Sequence, residues 1–176
     1  MKTKVSEKIS PTLIQQILIP YESKNTAYLK AANIISRSSD LDQDQTKGSN
    51  DYVIQGDFEI TESCYIDDTG HFNAVEFNIC YNQIFYVAIA NACFDQSFQY
   101  LRDMTLEEFY KKQLPNIYIT RLESHYKKTI SPKNFEGILS IKKARKIRDV
   151  IFFRTQIDFT DHNEGLAYGE VDVVIT

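Results

Sequence analysis

Residues 84–90, Ile84-Phe85-Tyr86-Val87-Ala88-Ile89-Ala90, are apolar throughout. They lie inside a stretch, residues 72–93, whose spacing predicts one long helix. A helix that is apolar on every side cannot rest on a surface, because no face is left for water. Something must surround it, and in a chain of 176 residues with room for one core, that something is the rest of the same domain.

The flanking patterns are mostly strands. Ser10-Pro11-Thr12, then Leu13, Ile14, Ile17 and Leu18, predicts a short first helix ending at Pro20. A strand is expected over residues 26–35. Another begins at Tyr52, where Ile54, Gly56, Phe58 and Ile60 share one face. Between them, residues 36–50 are rich in Ser, Asp, Gln and Lys and read as a solvated loop insertion. After the long helix, Thr105 and Glu108 form a capping-box pattern for a shorter one. Strands are expected over residues 117–127, 135–147, 150–159 and 166–175, joined by short turns, one of them basic, as an antiparallel meander. Phe153, Thr155, Ile157 and Phe159, and Gly169, Val171, Val173 and Ile175, mark the inward faces. The expected fold is α+β: a single hotdog domain over residues 1–176, a curved antiparallel sheet wrapped around a long central helix, with a generic α+β roll as the alternative from topology alone. An exposed sheet edge in such a protomer predicts a homo-oligomer, a dimer or higher.

Composition narrows the function. A net charge of −4 disfavours nucleic acid. The longest apolar run is too short to cross a bilayer. Three cysteines (Cys64, Cys80, Cys93) form no CxxC pair and are read as lying in apolar or strand-like surroundings. Together with the absence of a leader-like N-terminus they suggest a reducing cytoplasm. His71, His125 and His162 are scattered, so no metal site is expected. Eleven Tyr and eleven Phe suit a lipid pocket and equally suit a plain β-rich core.

The chemistry concentrates where Thr69-Gly70-His71-Phe72 opens onto the long helix. Free N–H groups and the dipole at a helix N-terminus favour negative charge, so a thioester carbonyl there would be polarised. His71 suits proton transfer at neutral pH, or caps the turn. Glu76, three residues after Asn73 and on its face, is a possible base or an ordinary N-terminal acid. Asn78, Asn82, Gln83 and Asn91 interrupt the apolar helix, and Asn82 and Gln83 either bond backbone inside the fold or face a polar pocket.

Gly70-His71-Phe72 before an apolar helix resembles the active-site turn of bacterial hydroxyacyl-carrier-protein dehydratases. The proline-rich stretch and the helix glutamate of that family are missing, and Asn82 stands near the place of the acid. A fuller resemblance is to the FcoT-like thioesterase family, carried by Thr69-Gly70-His71-Phe72-Asn73-Ala74-Val75-Glu76 and Cys80-Tyr81-Asn82-Gln83. Ile19-Pro20-Tyr21, Glu62-Ser63-Cys64-Tyr65-Ile66 and Gly169-Glu170 add to it, over about residues 13–174. The resemblance implies a fatty acyl thioester on coenzyme A or the phosphopantetheine of an acyl carrier protein, and no further cofactor. It also implies either a long-chain thioesterase or an enzyme of isonitrile lipopeptide biosynthesis that adds glycine to a 2-enoyl-acyl carrier protein. His71, Tyr65 and Asn82 are the implied catalytic set; Tyr21, Asn73, Glu76 and Gln83 are the implied substrate contacts. Conjugate addition needs an oxyanion site and a base but no carboxylate nucleophile, which suits these residues better than hydrolysis does. A non-catalytic acyl-chain binder is the alternative of another class.

Overall fold

The computed structural model describes residues 6–37 and 52–176. The expected insertion over residues 36–50 falls almost wholly outside the described residues. Seven antiparallel strands form one sheet in the order β1-β2-β3-β5-β6-β7-β4: β1 (Glu7–Lys8), β2 (Leu29–Ser36), β3 (Tyr52–Phe58), β4 (Ile117–Lys128), β5 (Phe135–Ile147), β6 (Val150–Thr160) and β7 (Leu166–Ile175). The sheet carries α2 (Ala74–Asp95), with α1 (Pro11–Glu22) and α3 (Leu106–Lys112) packed against it.

The central helix is enclosed as its composition demands. Every residue from Ile84 to Cys93 is buried, and Phe77, Tyr81 and Phe85 point at the sheet. Phe77 packs on Phe159 and Tyr126, and Phe85 on Phe153. The Tyr81 hydroxyl is 2.7 Å from Thr155 Oγ1, whose own proton goes to the Val171 carbonyl, so Tyr81 is the donor. Phe58, Phe72, Phe135 and Phe159 pack on one another, Phe58 stacked on Phe135 and the other pairs tilted or edge-on. The aromatic richness is therefore core packing in this region, not a lining for lipid.

Three sequence expectations need correction. The last four strands are not one meander: β5, β6 and β7 are, but β5 pairs with β3 and β4 pairs with β7 at the far edge. The reason lies in the side chains, since β5 buries Phe135, Leu139 and Ile141, whereas β4 is exposed along most of its length. An alternately buried strand belongs inside a sheet and an exposed one at its margin. Second, α1 continues past Pro20 to Glu22. Pro20 and Gln16, whose carbonyl loses its donor, are both exposed, so water can satisfy that carbonyl. Third, α2 begins at Ala74 rather than Phe72, because Asn73 caps it. The inward faces on β6 and β7 are as expected.

Candidate functional site

The turn before α2 is built by short-range bonds. Gly70 has φ of +74°, a conformation that needs glycine, and its N–H donates to Asp68 Oδ1 at 2.8 Å. This places His71 in solvent with Nδ1 2.9 Å from the Thr69 carbonyl. A carbonyl can only accept, so Nδ1 carries the proton and Nε2 presents a lone pair. Phe72 then enters the core, its N–H bonded to the Ile130 carbonyl.

Asn73 and Glu76 form a reciprocal capping box. Asn73 Oδ1 accepts from the Val75 and Glu76 N–H groups, and Glu76 Oε2 accepts from the Asn73 N–H. Two helix-end donors are thereby occupied. Asn73 Nδ2 is buried without a partner among the described residues, as is Ser63 Oγ. An unpaired buried amide N–H costs about 1–3 kcal/mol, so Asn73 Nδ2 is a donor waiting for an acceptor. Glu76 is 2% exposed, which keeps its carboxylate from solvent.

Behind this cap lies a group of side chains that sequence reasoning did not bring together. Burial pushes the Tyr28 phenol up, with Cys64, Glu76 and Cys80 adding to the rise. Burial likewise raises the Cys80 thiol, helped by Glu76 and Cys64. Tyr21 is raised by burial, then by Tyr86 and Cys80. Tyr21, Tyr28, Cys64, Glu76 and Cys80 thus converge where α1, the start of β2 and the 62–65 loop meet the first turns of α2. Tyr28 also donates to the Glu62 carbonyl at 3.3 Å. No local pattern marks Tyr28 or Cys80; only the docking of β2 on α2 makes them neighbours. Cys64 is exposed, contrary to the apolar setting expected for it.

The other implied residues separate. Gln83 is fully buried, and its polar groups are spent on backbone: Oε1 accepts from the Tyr28 and Leu29 N–H groups, both at 2.9 Å, and Nε2 donates to the Thr26 carbonyl. It pins β2 to α2 and has no acceptor left for substrate. Asn82 is half-buried and donates to Asn78 Oδ1 at 3.3 Å. It lies roughly 120° round the helix from Glu76. Tyr65 is 52% exposed on the loop. Asn91 is structural, bonded to Tyr52 and Asp95.

Beside the first half of α2, β4 leaves an apolar lip. Leu122 and Tyr126 are exposed, and Leu122, Ser124 and Tyr126 pair with the inward residues Val171, Gly169 and Ala167. Gly169 is needed there, since a Cβ would strike the Glu123 carbonyl and the Phe77 ring. Among the described residues no cluster of His, Cys, Asp or Glu could hold a metal ion. No helix among them is long and apolar enough to cross a membrane.

Comparison with known proteins gives a consistent picture. A model of the FcoT-like thioesterase domain matches residues 16–175. The chain is 36% identical over 134 residues to a (2E)-enoyl-[ACP] glycyltransferase of Streptomyces coeruleorubidus, covering 76% of this chain and 74% of that one. It is 31% identical over 168 residues to the protein of that name from Mycobacterium marinum, covering 94% and 85%. Among solved structures, zebrafish thioesterase superfamily member 2 superposes with a TM-score of 0.52 at 10% identity, covering 94% of this chain and 95% of that one. A Haemophilus influenzae thioesterase gives 0.51 at 8%, covering 96% and 92%. These two likenesses speak for the hotdog fold.

Proposed function

Because this chain belongs to the FcoT-like thioesterase family, we propose that it adds glycine across the double bond of a 2-enoyl chain held as a thioester on an acyl carrier protein. The observation that carries the reading is the similarity, over most of both chains, to proteins named (2E)-enoyl-[ACP] glycyltransferase. The geometry supports it: the turn before α2 carries an exposed proton acceptor, His71, and the cap that follows carries a buried donor, Asn73 Nδ2, without a partner among the described residues.

Glycine arrives as a zwitterion, and its ammonium gives one proton to His71 Nε2. The amine nitrogen then bonds to C3, and the C2–C3 π electrons move to form an enolate on the thioester oxygen. Asn73 Nδ2 and the positive end of α2 stabilise that oxygen. The imidazolium returns its proton to C2, leaving a secondary ammonium and an intact thioester. Glu76 acts through Asn73, holding the cap so that the buried Nδ2 keeps its place. Tyr65 and Tyr21 border the head group, Asn82 lies farther along α2, and the apolar lip of Leu122 and Tyr126 takes the chain. Such addition draws on no redox or metal cofactor, and it fits a cytoplasmic setting.

A second copy completes the site in this reading. The β4 edge has an unpaired row of backbone groups, and antiparallel pairing of β4 with its copy would cover both lips. Light scattering should give a dimer or a multiple of it, and a monomer at micromolar concentration would count against the pairing.

The deciding assay mixes a 2-enoyl-carrier protein with glycine and follows the mass of the carrier-bound product. A gain equal to glycine supports addition. Free acid released without glycine dependence would establish the thioesterase in its place.

A further inference from the structure

We propose that the outer face of the β5–β6 hairpin docks the acidic surface of the carrier protein that brings the acyl chain; this rests on the carrier-borne substrate of the proposed function. Residues 142–148 hold five cations, Lys142, Lys143, Arg145, Lys146 and Arg148, in a chain of net charge −4. They are concentrated here by strand register. A bulge at Lys142 resets the alternation of β5, so Lys143 lies opposite Arg154 and Arg145 opposite Phe152, all on the face away from α2.

Together they line a recess of about 260 Å³. Three of its side chains are cations, Lys143, Arg145 and Arg154, against one carboxylate, Asp172. Asp172 is already engaged, with Arg154 Nε at 3.0 Å and Arg121 at 3.9 Å. The Arg145 guanidinium lies over the Phe152 ring, 5.1 Å from its centroid, which tethers it to the sheet. Lys142, Lys143 and Arg148 show no ion pair among the described residues, while Lys146 reaches only the exposed Asp103. A rigid sheet surface with an excess of cations beside a half-buried aromatic ring is suited to an acidic helix of a partner protein, by charge and by shape.

Position explains how such docking serves the site. The hairpin lies where β7 ends, Ile151 pairing with Ile175, and Ile175 pairs in turn with Ile117 at the start of β4. The His71 turn lies at the other end, where the Ile130 carbonyl receives the Phe72 N–H. The length of α2 between them is about 33 Å at 1.5 Å per residue, beyond a phosphopantetheine arm. Antiparallel pairing of two β4 edges sets the start of one strand beside the end of the other. A carrier docked on one protomer therefore feeds the turn of its partner.

The test is a Lys143→Glu, Arg145→Glu double variant assayed with the same 2-enoyl chain on a carrier protein and on N-acetylcysteamine. Docking predicts that KM for the carrier-bound chain rises at least tenfold with kcat unchanged, while the small thioester is untouched. The wild-type KM for the carrier form should also rise with added salt, and that for the small thioester should not. Equal loss on both substrates, or no change on either, overturns the proposal. So does a changed molecular mass of the variant, which would make the patch an interface between copies of this chain. Calorimetry with a carrier bearing a saturated acyl chain separates docking from chemistry. Wild-type binding that the double variant loses sustains docking even where no glycine is added. Addition of glycine with binding unaffected by the charge reversal removes the docking site and leaves the reaction standing.

Discussion

The amide oxygen of Gln83 on the central helix lies 2.9 Å from the backbone nitrogen of Leu29, the first residue of β2, and at the same distance from that of Tyr28. One side chain thus replaces the ladder partners that this stretch of backbone lacks. Gln83→Leu keeps the volume but strands two N–H groups and the Thr26 carbonyl. At about 1–3 kcal/mol for each buried orphan, the expected loss is at least about 3 kcal/mol. Urea unfolding reads this directly, and a variant within 1 kcal/mol of wild type would mean that water takes over the three bonds.

Removing His71 and altering Glu76 should have opposite kinetic signatures. His71→Ala takes away the accessible proton acceptor and should lower kcat on an enoyl thioester about 10²–10⁴-fold, with affinity for a saturated chain little changed. Glu76→Gln retains an oxygen for the Asn73 N–H, so the cap survives and turnover should stay within a few-fold. Tyr65→Phe and Asn82→Ala should slow turnover by less than His71→Ala. An active His71→Ala beside an inactive Glu76→Gln would move the base to the buried carboxylate.

Cys64 should be the thiol that reagents find. It is exposed, whereas Cys80 and Cys93 are buried and their thiols are raised by burial, Cys93 to about 12. Iodoacetamide at pH 8 should alkylate Cys64 first. Since Cys64 adjoins Tyr28 behind the cap, modification should slow turnover and bound acyl thioester should protect against it. Peptide mass mapping settles which thiol reacts, and modification with full activity would place Cys64 outside the site.

Stability should fall in alkali. Burial lifts Tyr52 and Tyr81 above the ordinary 10.0, and Cys80 and Cys93 above 9.0. The unfolded chain releases these protons near those ordinary values while the folded chain keeps them, so the native state binds more protons. Stability is therefore fully present below about pH 8 and declines from about pH 9 upward, toward the folded pKa values. Each group contributes a loss of about 1.4 kcal/mol per pH unit within its window. Urea midpoints at pH 7 and pH 10.5 give the comparison; equal midpoints would show that these groups ionise within the fold.

The elements were legible where a local rule acted alone. The apolar run over residues 84–90 called for an enclosing sheet, and the alternation of β6 and β7 named their inner faces. Thr105 with Glu108 announced α3, and the structure contains that capping box. What sequence patterning left out was long-range. Nothing near β4 says that it pairs with β7 and not β5, because only its relative lack of buried side chains sends it to the margin. Asn73 and Glu76 show the same capping pattern as Thr105 and Glu108, yet the apolar Phe72 drew the expected helix start two residues too early. The Tyr28, Cys64 and Cys80 neighbourhood spans distant segments, and whether Gln83 bonds backbone or faces a pocket stayed open in the sequence because its backbone partners lie more than fifty positions away.

The placement of β4 also sets the order in which the chain can assemble. β4 is made before β5, β6 and β7, yet its only neighbour among the described strands is β7, the last of them. As synthesis proceeds, α2 can lie on α1, β2 and β3, but the bare strand β4 must wait for some forty residues before its partner exists. Closure of the sheet is then a late, long-range event, and the nascent chain is most exposed to aggregation in that interval. Holdase chaperones should matter for its yield more than for proteins of its size built from local hairpins.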